Sequence, residues 1–290
     1  EGGEILVWGP AWLERETVKF FEPGTVTMKI DLSGRVAVVS GASAGLGRAI
    51  ASGLAEAGAD VVMGSRREEA IRGAAEEIAA RTGRRVIPVV ADVARAEDVD
   101  RLLGAAQSHF GRLDILVANA GGPPQGSALQ LTDAQWEHAF HQNLMSAVRL
   151  IRGAVPLMLP HKWGRIITII TSGVKVPIPS LVLSNVFRSG VVALTKTLSF
   201  ELAPHGILIN NLAPGRIKTD RVRELDAAAA RAAGKTVEEV EREVAAAIPA
   251  RRYGDPREFA HLAVFLASDQ ASYITGTTIC VDGGATRAMM

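Results

Sequence analysis

Cysteine is almost missing from this chain: Cys280 is the only one in 290 residues. No disulfide can form within the chain, which suits a reducing compartment and makes a cytoplasmic location the expectation. Aromatic residues make up 5% of the sequence, and tyrosine occurs only at Tyr253 and Tyr273. Neither sign of charge dominates, since 32 Lys and Arg stand against 31 Asp and Glu. That balance gives no electrostatic reason to expect nucleic acid or an anionic membrane as a partner. No apolar run approaches the roughly 18 residues of a spanning helix; the longest, such as 166–170, are strand-length. The opening Glu1-Gly2-Gly3-Glu4 is acidic with no apolar stretch behind it, so no secretory leader is expected.

What is present is an apolar fraction of 48%, much of it Ala and Val. Ala suits helix faces packed on a sheet and Val suits buried strands, a balance that leans toward α/β. From Arg35 onward the chain alternates strand and helix patterns. Strands are expected at 36–40, 60–63, 85–90, 113–117, 165–170, 207–210 and 277–281. Helices are expected at 45–57, 67–80, 96–110, from Asp133 past Asn143 toward Leu159, at 181–203, over 221–247 with a break at Gly234-Lys235-Thr236, and at 256–266. Seven short strands alternating with helices predict a doubly wound parallel sheet covered on both faces, a single Rossmann-type domain. Residues 1–27 do not share the rhythm: they hold Trp8 and Trp12, scattered charge and no clean period. They read as an appended segment ahead of a domain at 28–290.

Between the first strand and the first helix lies Ser40-Gly41-Ala42-Ser43-Ala44-Gly45-Leu46-Gly47. Glycines there allow a tight turn and let backbone N–H groups approach a pyrophosphate, with the positive end of a helix aimed at the same anion. The spacing is G-x-x-x-G-x-G, and it is followed in order by Asp92-Val93, Asn119-Ala120-Gly121, Asn143, Pro214-Gly215-Arg216-Ile217-Lys218-Thr219, Tyr273-Ile274-Thr275-Gly276 and Val281-Asp282-Gly283-Gly284. In these motifs, over residues 29–284, the chain resembles the short-chain dehydrogenase/reductase family, most closely the β-ketoacyl-carrier-protein reductase and glucose dehydrogenase-like members. The resemblance implies that Gly41, Ser43, Ala44, Gly45, Leu46 and Gly47 hold a dinucleotide and that Asp92 and Val93 flank its adenine. It implies that Asn119, Ala120 and Gly121 line the cleft and that Pro214, Gly215, Ile217 and Thr219 lie along the nicotinamide. It also implies a homodimer or homotetramer.

An acidic residue at the end of the second strand would bond a ribose 2′-hydroxyl and select NAD. Here Ser65 stands at that place with Arg66 after it, and a guanidinium suits a 2′-phosphate. The expected cofactor is NADP(H), with NAD as the alternative. Members of the family carry a Tyr and, four residues later, a Lys on one helix, with a Ser at the end of the preceding strand. The ungapped register from Gly206-Ile207 and Ala213-Pro214-Gly215 puts Ser184 at the Tyr position, Arg188 at the Lys position and Thr171, beside Ser172, at the Ser position. Arg188 can still offer positive charge and hold a ribose, but it keeps its proton. A Ser hydroxyl is a far weaker acid than a tuned Tyr. Lys175, four residues past Thr171, is a candidate proton donor, so the candidate catalytic set is Asn143, Thr171, Ser172, Lys175, Ser184 and Arg188. Two readings stay open: an oxidoreductase acting on a small carbonyl/alcohol pair with an atypical donor, or a dinucleotide binder that has lost the reaction. His138 and His141 lie three apart but lack metal-site spacing, so no metal is expected. Pro156 reads as a kink, and residues 216–250 as a lid over the substrate.

Overall fold

The computed structural model describes residues 30–289; the segment 1–27 set apart above lies outside them. The chain runs β1 (Val36–Val39), α1 (Gly45–Glu56), β2 (Asp60–Ser65), α2 (Glu68–Thr82), β3 (Val86–Val90), α3 (Ala96–Phe110), β4 (Ile115–Ala118), α4 (Asp133–Phe140), α5 (Ser146–Met158), β5 (Gly164–Ile169), α6 (Val182–Leu202), β6 (Ile207–Pro214), α7 (Asp220–Ala233), α8 (Val237–Ala247), α9 (Pro256–Leu266) and β7 (Thr278–Val281). Among the described residues the strands form one 7-stranded sheet in the order β3-β2-β1-β4-β5-β6-β7, with every pairing parallel. The order reverses between β1 and β4, and a doubly wound sheet opens its ligand crevice at the carboxyl ends of the strands at such a point.

Both faces of the sheet are covered, which is why the strands read as continuous apolar runs rather than alternating ones. Period-two alternation splits each run between two cores. Ala37 and Val39 of β1 pack with Ile50 and Leu54 of α1 and Phe259 of α9. Val36 and Val38 face the opposite side with Leu102 of α3 and Leu150 of α5. Each fully buried Leu or Ile contributes about 1.5–3 kcal/mol, so the central strands are fixed in place from two sides.

Two expected elements come out differently. The helix expected from Asp133 to Leu159 is divided: α4 ends at Phe140, a π-turn occupies His141–Met145, and α5 begins at Ser146. The wide turn carries Gln142 and Asn143 into the interior, where both donate to the Gly121 carbonyl, at 3.4 and 2.9 Å. Periodicity alone reads through such a turn because one extra residue barely disturbs the helical pattern. Pro156 sits in the last turn of α5, just ahead of a 3₁₀ turn at Leu159–His161. Strand β6 runs on to Pro214, past the expected end at Asn210. Its two asparagines look like a strand end, yet both are buried and bonded. Asn210 Nδ2 donates to the Ile274 carbonyl at 2.8 Å. Asn211 accepts from Thr195 Oγ1 at 2.8 Å and donates to Thr278 Oγ1 at 3.0 Å.

Candidate active site

The crevice at the β1/β4 reversal is locked by one hydroxyl. Ser40 Oγ donates to the Asn119 carbonyl at 2.7 Å and accepts from the Asn119 N–H at 2.9 Å, tying the ends of β1 and β4 together. Asn119 Nδ2 then donates to the Gly41 carbonyl at 3.1 Å. The loop between β1 and α1 folds tightly over this floor. Gly41 and Gly45 have φ of 60° and 56°, which L side chains seldom adopt. A Cβ on Gly47 would lie 2.3 Å from the Gly41 carbonyl oxygen and 2.8 Å from Asn119 Nδ2. Ala44 is the N-cap of α1 and offers no side-chain cap, so the first backbone N–H groups of the helix are left to a ligand. Leu46 packs down onto the core beneath.

At the neighbouring end of β2 a small polar cluster has formed. Ser65 Oγ donates to Ser43 Oγ at 2.8 Å, and Arg67 Nη2 donates to the same Ser43 oxygen at 3.2 Å. Arg66 reaches the other way, 3.9 Å from the Asp92 carboxylate, with most of its side chain in solvent. Asp92 also accepts from the Ala94 N–H at 3.0 Å, which shapes the turn after β3, and Val93 packs on the core. Arg67 and two serines thus meet where an acidic residue would stand in an NAD-selective site, with Arg66 next to them in sequence.

The far side of the crevice is built by the segments after β5 and β6. Thr171 Oγ1 accepts from the Gly173 N–H at 3.2 Å and caps the 3₁₀ turn Ser172–Val174. Asn185 Nδ2 donates to the Ile178 carbonyl at 2.9 Å, stapling this segment to α6. Lys175 is half-buried, and its charge lowers the Cys280 thiol, although burial wins and holds that thiol above its usual value. The ammonium makes no hydrogen bond or ion pair among the described residues. After β6, the Gly215 N–H bonds the Val281 carbonyl at 3.0 Å and Ile217 is buried in the core. Thr219 caps α7, and its methyl would lie 3.5 Å from a Cβ on Gly45, so the start of α7 overhangs the first loop. Arg221, two residues on, donates to the Pro123 carbonyl at 2.9 Å across the crevice mouth.

Ser184 and Arg188 occupy one face of α6, both buried. Ser184 Oγ makes no hydrogen bond among the described residues. Arg188 Nη1 donates to the Ile169 carbonyl and Nη2 donates to the Ala120 carbonyl, the latter at 3.0 Å. The guanidinium therefore bridges the ends of β4 and β5, and burial pushes its pKa down to about 10. Beside it is a cavity of about 10 Å³ lined in part by Ala120, Asn143, Thr168 and Val191. That is room for one water, and the Asn143 Oδ1 is buried with no hydrogen-bond partner. The two tyrosines are elsewhere. Tyr273 is fully exposed, and the Tyr253 hydroxyl donates to the Asp226 carboxylate at 3.0 Å. Burial and then the Asp226 bond raise the Tyr253 pKa, while Arg216 holds the other Asp226 oxygen at 2.8 Å.

Of the residues singled out in the sequence, those in the first loop, the end of β2, Asn119 to Gly121, Asn143 and Arg188 come together around the β1/β4 reversal. Thr171, Ser172, Lys175 and Ser184 belong to the α6 side. Ser40, Arg67, Asn185 and Arg221 were not singled out. Ser40 and Arg67 adjoin the chosen motifs, so adjacency alone was a usable signal; Asn185 and Arg221 act through contacts distant in sequence and gave none. His141 lies 3.5 Å from Arg149, and no group of three or more metal-ligating side chains occurs among the described residues.

This crevice, with its strand order and glycine loop, defines a dinucleotide-binding protein of the doubly wound class. A family model described as enoyl-(acyl carrier protein) reductase matches residues 41–286. A 3-oxoacyl-acyl-carrier-protein reductase of Aquifex aeolicus is 33% identical over 257 residues, 89% of this chain and 99% of that protein. A short chain dehydrogenase/reductase of Aspergillus oryzae is 36% identical, over 88% of this chain and 96% of its own length. Among solved structures, an L-sorbose reductase from Gluconobacter frateurii complexed with NADPH and L-sorbose superimposes with a TM-score of 0.86 at 33% identity, covering 90% of this chain and 100% of that one. The chain belongs to the short-chain dehydrogenase/reductase family.

Proposed function

We propose that this chain is an NADP(H)-dependent oxidoreductase that moves a hydride between nicotinamide and the carbonyl or alcohol carbon of a small molecule. The observation that carries the reading is the glycine cradle with Ser43, Ser65 and Arg67 gathered beside it and Arg66 in solvent next to them. The uncapped start of α1 suits a pyrophosphate, and the paired arginines suit a 2′-phosphate better than the bare diol of NAD. The L-sorbose reductase, similar over nearly the whole chain, is described as a complex with NADPH, which supports the same choice.

The nicotinamide, when bound, supplies or takes up the hydride. The chain would hold the pyrophosphate on residues 41–47 and the adenine beside Asp92 and Val93. Asn119 to Gly121 would line the ribose side, and Pro214, Gly215, Ile217 and Thr219 the ring side. The segment 216–250, carrying α7 and α8, would be the lid, latched by Arg221 on Pro123. Thr171, Ser172 and Ser184 would offer hydroxyls to the substrate oxygen. None of them is acid enough to protonate it at neutral pH. Lys175 is the only ionisable side chain between Thr171 and Leu181, and we assign it the proton. Asn143 would shape the wall by holding the Gly121 carbonyl. Exposed Val186 and Phe200 on α6 support self-association as a homodimer or homotetramer. Among the described residues no helix is long and apolar enough to cross a membrane.

The second reading, a dinucleotide binder without turnover, is favoured by one observation: Arg188 spends its guanidinium on two backbone carbonyls. Titration with NADPH and NADH, followed by a ketone panel read by loss of NADPH absorbance, tests both. The oxidoreductase reading expects NADPH to bind more tightly than NADH and at least one ketone to be reduced. Tight NADPH binding with flat absorbance across the panel gives the second reading, and no binding of either nucleotide ends both.

A further inference from the structure

Among the described residues, buried charges are paired, with one exception. Asp114 is held by Arg35 and Arg112, Asp226 by Arg216, and Arg165 by Asp269. Arg188 is 7% exposed and has no carboxylate partner among the described residues. Its two known bonds go to carbonyl dipoles, which orient the guanidinium without cancelling its charge. Even pushed down by burial to about 10, its pKa leaves it charged at neutral pH. A charge in a dry site is weakly screened, so its field reaches neighbouring groups. The neighbour here is the Asn119 to Gly121 wall, since Arg188 is bonded to the Ala120 carbonyl itself.

We propose that Arg188 is a redox-state selector: its unbalanced buried charge discriminates against the cationic oxidised nicotinamide and in favour of the neutral reduced ring, so that the site holds NADPH more tightly than NADP+. This rests on the proposed function, which places the ribose of the nicotinamide dinucleotide along that wall and so brings the attached ring within reach of the Arg188 field. The two forms of the dinucleotide share every other group, so a uniform change in grip cancels in their ratio and only the ring charge remains. Repulsion between two unit charges at a partly buried site is enough to alter a binding constant on the order of tenfold or more. The effect needs no bond between Arg188 and the cofactor. It differs from a gripping role, which would strengthen both forms alike.

The test is calorimetric titration of the full chain with NADPH, NADP+ and 2′,5′-ADP, the last lacking the nicotinamide. The wild-type protein should bind NADPH at least about tenfold more tightly than NADP+. Arg188→Gln and Arg188→Met should bring that ratio down at least about fivefold, chiefly by improving NADP+ relative to NADPH, while 2′,5′-ADP changes by less than about twofold. A merely structural Arg188 would weaken all three ligands together. Equal wild-type affinities for NADPH and NADP+ overturn the inference without any variant, so misfolding of the substituted proteins cannot shelter it. An unchanged ratio in a folded Arg188→Gln also overturns it. Binding of all three ligands with no preference leaves the cofactor reading standing; failure of all three to bind removes that reading and this inference together.

Discussion

At the scale of single residues, the proposed site departs from the family's frame at two positions. Ser184 and Arg188 are i, i+4 neighbours on α6, the spacing a Tyr and Lys would share. Ser184→Tyr combined with Arg188→Lys should therefore raise NADPH-dependent ketone reduction by about 10²-fold or more, the usual worth of a placed general acid. Steady-state kinetics on a ketone found in the panel measures it. Lys175→Ala in the otherwise unchanged chain should lower kcat by about 10²-fold while leaving the Kd for NADPH within a factor of about two. A loss confined to NADPH affinity would remove Lys175 from the proton path. Side chains next to a motif were legible in the sequence: Ser65 and Arg66 follow from their place after a strand. What Arg188 does was not legible. Its partners, Ile169 and Ala120, are carbonyls on two other strands, and a backbone acceptor leaves no trace in residue type.

At the scale of elements, the first loop is the least forgiving. Gly47→Ala would drive a methyl into the Gly41 carbonyl and the Asn119 amide. Overpacking of this kind costs about 1–3 kcal/mol, and here it also closes the space over the cradle. Thermal melting should fall by several degrees, and NADPH titration should lose most of its signal. Segment 216–250 hangs instead on the buried Asp226 carboxylate, held by Arg216 and Tyr253. Tyr253→Phe removes one donor to the buried Asp226 carboxylate and should cost about 1.5–3 kcal/mol, the range for bonds to charged groups. Chemical denaturation checks the value, and faster proteolysis within 216–250 would locate it. Strand and helix order could be read from hydropathy because both sheet faces are covered and each run is apolar throughout. The π-turn at His141–Met145 and the length of β6 escaped that reading. Both depend on amides, Asn143, Asn210 and Asn211, whose partners come from distant segments.

Across the whole molecule, stability should weaken in acid for a reason visible at α9. Glu258 closes a capping box with Asp255, and the Arg252 guanidinium followed by the Asp255 backbone N–H holds its carboxyl down to about 2. A group whose folded pKa lies below its unfolded value, about 4.3 for Glu, stabilises the fold above that unfolded value. The contribution fades as pH falls through the folded one. Melting temperature should decline from about pH 4.5 toward pH 2, and Glu258→Gln should flatten part of that slope. The parallel seven-stranded sheet was legible from the alternation of strand and helix, because parallel strands need crossover helices; the order of its strands was not read from it.

The pair of hydrogen bonds between Ser40 and Asn119 has a thermodynamic corollary. A floor already fastened at both strand ends has little disorder left to lose, so ligand capture should draw its ordering cost from elsewhere. The overhanging start of α7, held to the rim by the bond from Arg221 to Pro123, is where that cost would fall. Amide hydrogen exchange with and without NADPH should show residues 36–41 and 115–119 slow in both states. New protection should appear mainly in α7 and α8. Equal gains in both regions would mean that the crevice assembles around its ligand instead of waiting for it.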